Sequence, residues 1–156
     1  MASVVTEHVI LLIPTFFAMM VFALVANAVV ANYATQQQSI IITGAQNQLV
    51  TTISQLYFSI TQSDIQGCTV TSTMPLPQQI DGQDYVVTGS LDGTLLTLNF
   101  YFPGKNLRDD AVVHLGPEVE WDPTSQISST NTNSVIVFEK YYNAIVGDYR
   151  VKISFR

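Results

Sequence analysis

The sequence predicts an α+β fold, a long N-terminal α-helix followed by an immunoglobulin-like all-β sandwich head. Three observations predict it. Residues 9–26 form an apolar run without a formal charge. An apolar stripe at helical spacing then continues to Ile60, and no proline falls between Ala18 and Thr73. Beyond Gly67 the apolar period drops to two and turn residues punctuate the chain. The expected boundaries are 1–64 for the helix and 65–156 for the globular head. The helix divides into a hydrophobic half over 4–33 and an uncharged amphipathic half over 34–64.

The first half contains "TEHVILLIPTFFAMMVFALVANAVVAN". It passes the threshold of about 18 apolar residues for spanning a bilayer. Pro14 lies inside it. In water a proline there removes one hydrogen bond and clashes with the preceding turn. In lipid or in a packed bundle, neighbouring helices accommodate the kink. Ala18, Ala23, Ala26, Ala28 and Ala31 are small enough to let other helices approach closely. Glu7 stands at the front edge, where the positive end of the helix dipole favours a carboxylate. It is also placed to pair with the α-amino group of a neighbouring subunit. No Lys or Arg lies nearby in sequence, and an unpaired carboxylate in apolar surroundings is costly.

The second half, "TQQQSIIITGAQNQLVTTISQLYFSITQS", takes its polarity from amides and hydroxyls. Ile42, Leu49, Ile53, Leu56 and Ile60 recur at helical spacing, the stripe of a helix packed against other helices. Gly44 is the expected weak point. The two halves together make one helix of about 60 residues, roughly 90 Å at 1.5 Å per residue. A small head cannot cover such a helix, so most of it is expected to bury against something else.

In the head, "CTVTSTM" and "GDYRVKISFR" alternate, and the second places Tyr149, Val151, Ile153 and Phe155 on one side. "YVVTGS" and "TLLTLNFYF" flank "LDG", a hairpin signal. "IDG" and "FPGKN" mark further turns, and Pro75 and Pro77 keep "LPQQIDG" extended or turning. "SVIVFEKYYN" adds a strand. Roughly six to eight short strands in a segment this size read as a sandwich. "DPTSQISSTNTNS" (Asp122–Ser134) reads as an exposed polar loop.

Composition excludes several function classes. The chain is 47% hydrophobic and 12% charged, the latter roughly half the usual fraction. No formal charge lies between Glu7 and Asp64, and all the basic residues lie from Lys105 onward. Nucleic-acid binding needs a clustered basic surface, which is missing, as is a polybasic membrane-surface segment. A single cysteine, Cys68, rules out an intrachain disulfide. His8 and His114 have no ligand-spaced partners, and the common metal, phosphate-loop and nucleophile-elbow motifs do not occur. Glu118, Glu120 and Asp122 alternate in "PEVEWD", a spacing able to hold a cation but more often a solvated strand face. No carboxylate pair is selected for catalysis, so no enzymatic role, cofactor or metal is expected.

With these residues the chain resembles a mature type IV pilin of the archaeal kind, the class that includes archaellum filament proteins. The resemblance rests on "SVVTEHVILLIPTFFAMMVFALVANAVV", the amide- and hydroxyl-rich extension to Ser63, and the β head over Gly67–Arg156. It covers the whole chain by architecture, although only the N-terminal helix carries a family-like motif. It implies a class III signal peptide, a short basic leader removed by a prepilin peptidase. Met1 is followed by "ASVVTE" without Lys or Arg, which fits a mature form. Cleavage between Ala2 and Ser3 would place Glu7 fifth, as in bacterial pilins.

The resemblance further implies a subunit held in the membrane before assembly by residues 9–30. An assembly ATPase and a membrane platform would then lift it into an extracellular homopolymeric filament on the cell surface. The implied filament core comprises Glu7, Val9, Leu12, Pro14, Phe16, Phe17, Met20, Ala23, Leu24 and Ala28, continued by Ile42, Leu49, Ile53, Leu56 and Ile60. The head would carry adhesion or O-glycosylation at Thr124, Ser125, Ser128, Ser129, Thr130, Thr132 and Ser134. One rival is a single-pass membrane-anchored β-sandwich binding protein. Its anchor should show cytoplasmic Lys or Arg and interfacial Trp or Tyr, of which Tyr33 alone fits. A minor pilin or a pseudopilin of a secretion system is the closer rival.

Overall fold

A computed structural model of the chain describes residues 2–65 and 67–156, with side chains from Pro14 onward. The first element, α1, runs unbroken over Ala2–Thr61 and passes through both Pro14 and Gly44. Several hydroxyl side chains along it are satisfied inside the helix. Thr35, Thr52, Ser54 and Ser59 each donate to the carbonyl four residues earlier, at 2.8–2.9 Å. They therefore bond within the helix instead of drawing the backbone into a turn. At the C-terminal end, the Lys140 ammonium donates to the carbonyls of Ser63 at 2.6 Å and Ile60 at 3.4 Å. A cation at this pole satisfies orphan carbonyls and complements the helix dipole.

Contacts divide the chain into two compact units, Met1–Ile40 and Ile41–Arg156. The division falls inside the helix, so residues 41–61 of α1 belong with the β head. Among the described residues of the head there are eight strands: β1 (Thr69–Thr73), β2 (Val86–Asp92), β3 (Leu95–Phe102), β4 (Leu107–His114), β5 (Val119–Trp121), β6 (Gln126–Ser128), β7 (Val135–Asn143) and β8 (Asp148–Phe155). They form two four-stranded sheets, ordered β1-β7-β8-β5 and β4-β3-β2-β6. The pairings are antiparallel apart from β5 with β8, which is parallel. The expected α+β fold with a β-sandwich head is therefore observed. In the β2–β3 hairpin Asp92 pairs with Leu95 across the two-residue turn Gly93-Thr94. Gly93 has φ 60°, the sign that a type II′ turn demands at its first position.

The inward faces of the two sheets meet in one core. Val87, Leu96, Leu98, Phe100 and Phe102 line it from one sheet, and Ile136, Phe138, Val151, Ile153 and Phe155 from the other. The alternation read in the C-terminal strand holds for Val151, Ile153 and Phe155; Tyr149, at the strand's start, is half-buried and packs edge-on against Tyr142 at 5.4 Å. Trp121 packs edge-to-face on Phe155 at 4.9 Å between ring centroids. It also closes over Gly89, where an added Cβ would run into the indole ring. Gly89→Ala is therefore expected to cost about 1–3 kcal/mol by overpacking. Ser90→Ala, one residue away on the exposed face, should change stability by no more than about 0.5 kcal/mol. Chemical denaturation followed by Trp121 fluorescence measures both.

Two expectations are corrected. The stripe Ile42, Leu49, Ile53, Leu56 and Ile60 does not face neighbouring helices. Ile42 is 2% exposed, Leu49, Ile53 and Ile60 are fully buried, and Leu56 packs against them, all within the head's own core. The helical period marks which side is apolar. It carries no information on whether a sheet or another helix covers that side. Second, Asp122–Ser134 is not an exposed loop throughout. Its centre forms β6, which pairs with β2 through Ile127↔Val87, and Ile127 is 2% exposed. One apolar residue in a polar run is enough to anchor an edge strand when the backbone finds a ladder.

Candidate functional site

The N-terminal unit is one helix whose described side chains are almost entirely uncovered. Phe16, Phe17, Met20 and Leu24 are between 56% and 70% exposed, and Phe22 reaches 77%. Pro14, Ala23 and Ala28 are exposed as well. The large apolar residues from Phe16 to Phe22 follow one another with only Ala18 between, so they surround the helix instead of lining one face. Glu7, Val9 and Leu12 lie outside the residues whose side chains are described. Residues Pro14–Thr61 contain a window apolar and long enough to cross a membrane, with mean hydropathy 2.0 and no part of that window buried. Leaving such a surface in water is costly. Exposed apolar patches beyond a few hundred Å² mark a lipid or protein partner.

On the head, the acidic segment in and around β5 is already engaged. The Tyr57 hydroxyl donates to Glu118, and the Tyr141 hydroxyl donates to Glu120 at 2.5 Å. That bond to a carboxylate holds the Tyr141 phenol above its ordinary range. Asp122 accepts from the Thr124 hydroxyl at 2.7 Å and faces the Lys152 ammonium at 3.3 Å. The Thr124 bonds, and then Lys152, hold its carboxyl below the usual range. Each carboxylate thus has its own partner. Among the described residues no group of three or more His, Cys, Asp or Glu is placed to hold a metal ion. Cys68 is half-buried against the core.

The third feature is a cleft at one end of the sandwich, about 350 Å³ in volume. One wall is the stretch Thr73–Gln78, the other is the loop Ser128–Val135. Its shape is fixed by bonds the two walls make with each other and with the floor. Met74 N donates to Ser134 O at 3.1 Å. Tyr85 and Ser129 are joined by a backbone bond of 3.0 Å and by Tyr85 N donating to the Ser129 hydroxyl at 3.1 Å. The Ser134 hydroxyl donates to Asn131 O at 3.1 Å. Burial pushes the Tyr85 phenol up to about 12, and its hydroxyl donates to Pro77 O at 2.5 Å.

Compared with known protein families, with curated proteins and with solved structures, the chain gives no match. Geometry and sequence chemistry therefore carry the functional reading.

The structure separates the expected head-surface residues into two groups. Ser125, Ser129 and Ser134 are buried at 7–8% exposure, which corrects the expectation that they are displayed for adhesion or glycosylation. Their hydroxyls brace the loop from inside. Thr124, Thr130 and Thr132 are exposed and Ser128 is half-buried. Sequence reasoning missed the cleft because its walls lie some fifty residues apart. The available signal was the pair of turn-rich stretches, "MPLPQQ" and "SSTNTNS", each without a charge.

Proposed function

We propose that the chain is a structural subunit of an extracellular, type IV pilus-like helical filament. The observation that carries this reading is the apolar surface around Phe16–Val30, uncovered on all sides and with no Lys or Arg on either side of it within residues 1–104. A permanent anchor holds its place with Lys or Arg at the cytoplasmic edge and aromatic belts at both interfaces. A segment that must leave the bilayer is better without them. In the filament, these helices bundle at the centre, exchanging lipid contacts for helix contacts. That exchange yields little hydrophobic energy, so close packing through Ala18, Ala23, Ala26 and Ala28 must supply the attraction. A head-to-tail interface that does not close gives an open polymer. The heads lie on the outside and serve adhesion or surface attachment. The homopolymer's own copies are the main partners, with an assembly ATPase, a membrane platform and a prepilin peptidase acting before and during assembly. The chain is membrane-embedded until then. Negative-stain microscopy of protein sheared from native cells tests the reading. Filaments built of this chain support it, whereas discrete particles recovered only with detergent overturn it in favour of a membrane-anchored binding protein.

A further inference from the structure

We propose that the cleft between Thr73–Gln78 and Ser128–Val135 is a binding site for a neutral saccharide. The proposal concerns the head alone and stands or falls apart from the filament reading. A sugar ring presents C–H faces together with hydroxyls that both donate and accept. A site for it needs an aliphatic floor and neutral groups that can do the same. The cleft supplies both. Met74, Leu76 and Ile127 form apolar surface, while Gln78, Thr132 and Asn133 stand at the rim. None of the lining residues carries a charge. Among the described residues, the side chains of these three rim groups make no hydrogen bond within the chain, so their donors and acceptors are free for a ligand. The volume of about 350 Å³ lies at the lower end for small-molecule sites and suits one or two sugar rings.

Preorganisation separates this cleft from an ordinary loop hollow. The loop is held by Asn131 N donating to Ser128 O at 2.9 Å, by Asn133 N donating to the Asn131 side chain at 3.2 Å, and by the buried Ser129 and Ser134 hydroxyls. Ordering costs are therefore met on folding and not on binding. The same bonds occupy backbone groups that an extended peptide would need for strand addition, which disfavours a peptide as occupant. A charged sugar would have to shed water with no counter-charge to replace it.

The test uses the full chain in a detergent without a sugar headgroup, with saturation-transfer NMR. The probes are glucose, galactose, mannose, N-acetylglucosamine and their β-linked disaccharides, beside glucuronate and sialic acid. At least one neutral sugar should bind with Kd on the order of 1 mM, a usual strength for a shallow site with a few hydrogen bonds. The acidic sugars should bind at least about fivefold more weakly. Thr132 and Asn133 are exposed, so the double variant Thr132→Val/Asn133→Ala keeps the fold and should weaken binding by about tenfold or more. Leu76→Arg, which sets a charge on the apolar wall, should abolish it. Absence of transfer to every neutral sugar at about 10 mM overturns the proposal. So does binding that survives both variants.

Discussion

Leu24→Lys should abolish filaments while leaving the head folded. Leu24 is 62% exposed in the middle of the apolar helix. A lysine at the centre of a membrane helix costs about 2.5–3.5 kcal/mol once, and the surrounding apolar residues outweigh that on the same scale. The variant should therefore still fractionate with membranes. In a filament core the same charge recurs in every subunit and is surrounded by copies of itself. No Asp or Glu lies between residues 8 and 63 to pair with it. Each unpaired charge then costs several kcal/mol, and like charges on adjacent helices add to this. The readouts are filament yield by negative stain and head integrity by Trp121 fluorescence. Ser90→Lys, on the exposed face of β2, places the same charge on the head and should leave filaments intact. Normal filaments from the Leu24→Lys protein would remove the helix from the core. Equal loss from both variants would point to net charge and not to position.

How far the sequence could be read depended on whether a feature is local. The helix was legible from its period, and it continues unbroken through Pro14 and Gly44. The strands were legible where alternation is strict, as in Val151, Ile153 and Phe155, and where a turn is forced, as at Gly93. Non-local facts were not legible. Nothing in "SQLYFSI" reveals that Tyr57 reaches Glu118, or that the carbonyls of Ile60 and Ser63 receive the ammonium of Lys140. Ser129 and Ser134 looked like display residues because hydroxyl side chains are usually exposed. They are buried since each finds a backbone partner, which is the condition for burying any polar group. The apolar surface of residues 14–33 was the most legible feature of all, because it depends on composition alone.

The second half of the helix makes the opposite prediction from the first. Ile53→Ala should destabilise the isolated chain by about 2–5 kcal/mol, the range for truncating a buried aliphatic side chain. Ile53 is fully buried in a core shared with both sheets, and deleting its branch leaves a cavity that rigid sheets cannot close. Thr51→Ala, on the exposed face of the same turn, should shift stability by no more than about 0.5 kcal/mol. The comparison is made on dilute, detergent-solubilised monomer by urea titration. The chain's single tryptophan, Trp121, lies against Phe155 in the sandwich and reports unfolding of the head. The dependence on concentration checks this placement of the stripe. If Ile53 packs inside its own chain, the loss is the same at every protein concentration. If the stripe were a seam between subunits, the dilute monomer would not register the change and only assembly would suffer. The two halves of one continuous helix are thus expected to fail differently. A defect at Leu24 leaves a folded head that does not polymerise, and a defect at Ile53 leaves an intact apolar segment attached to a head that melts early.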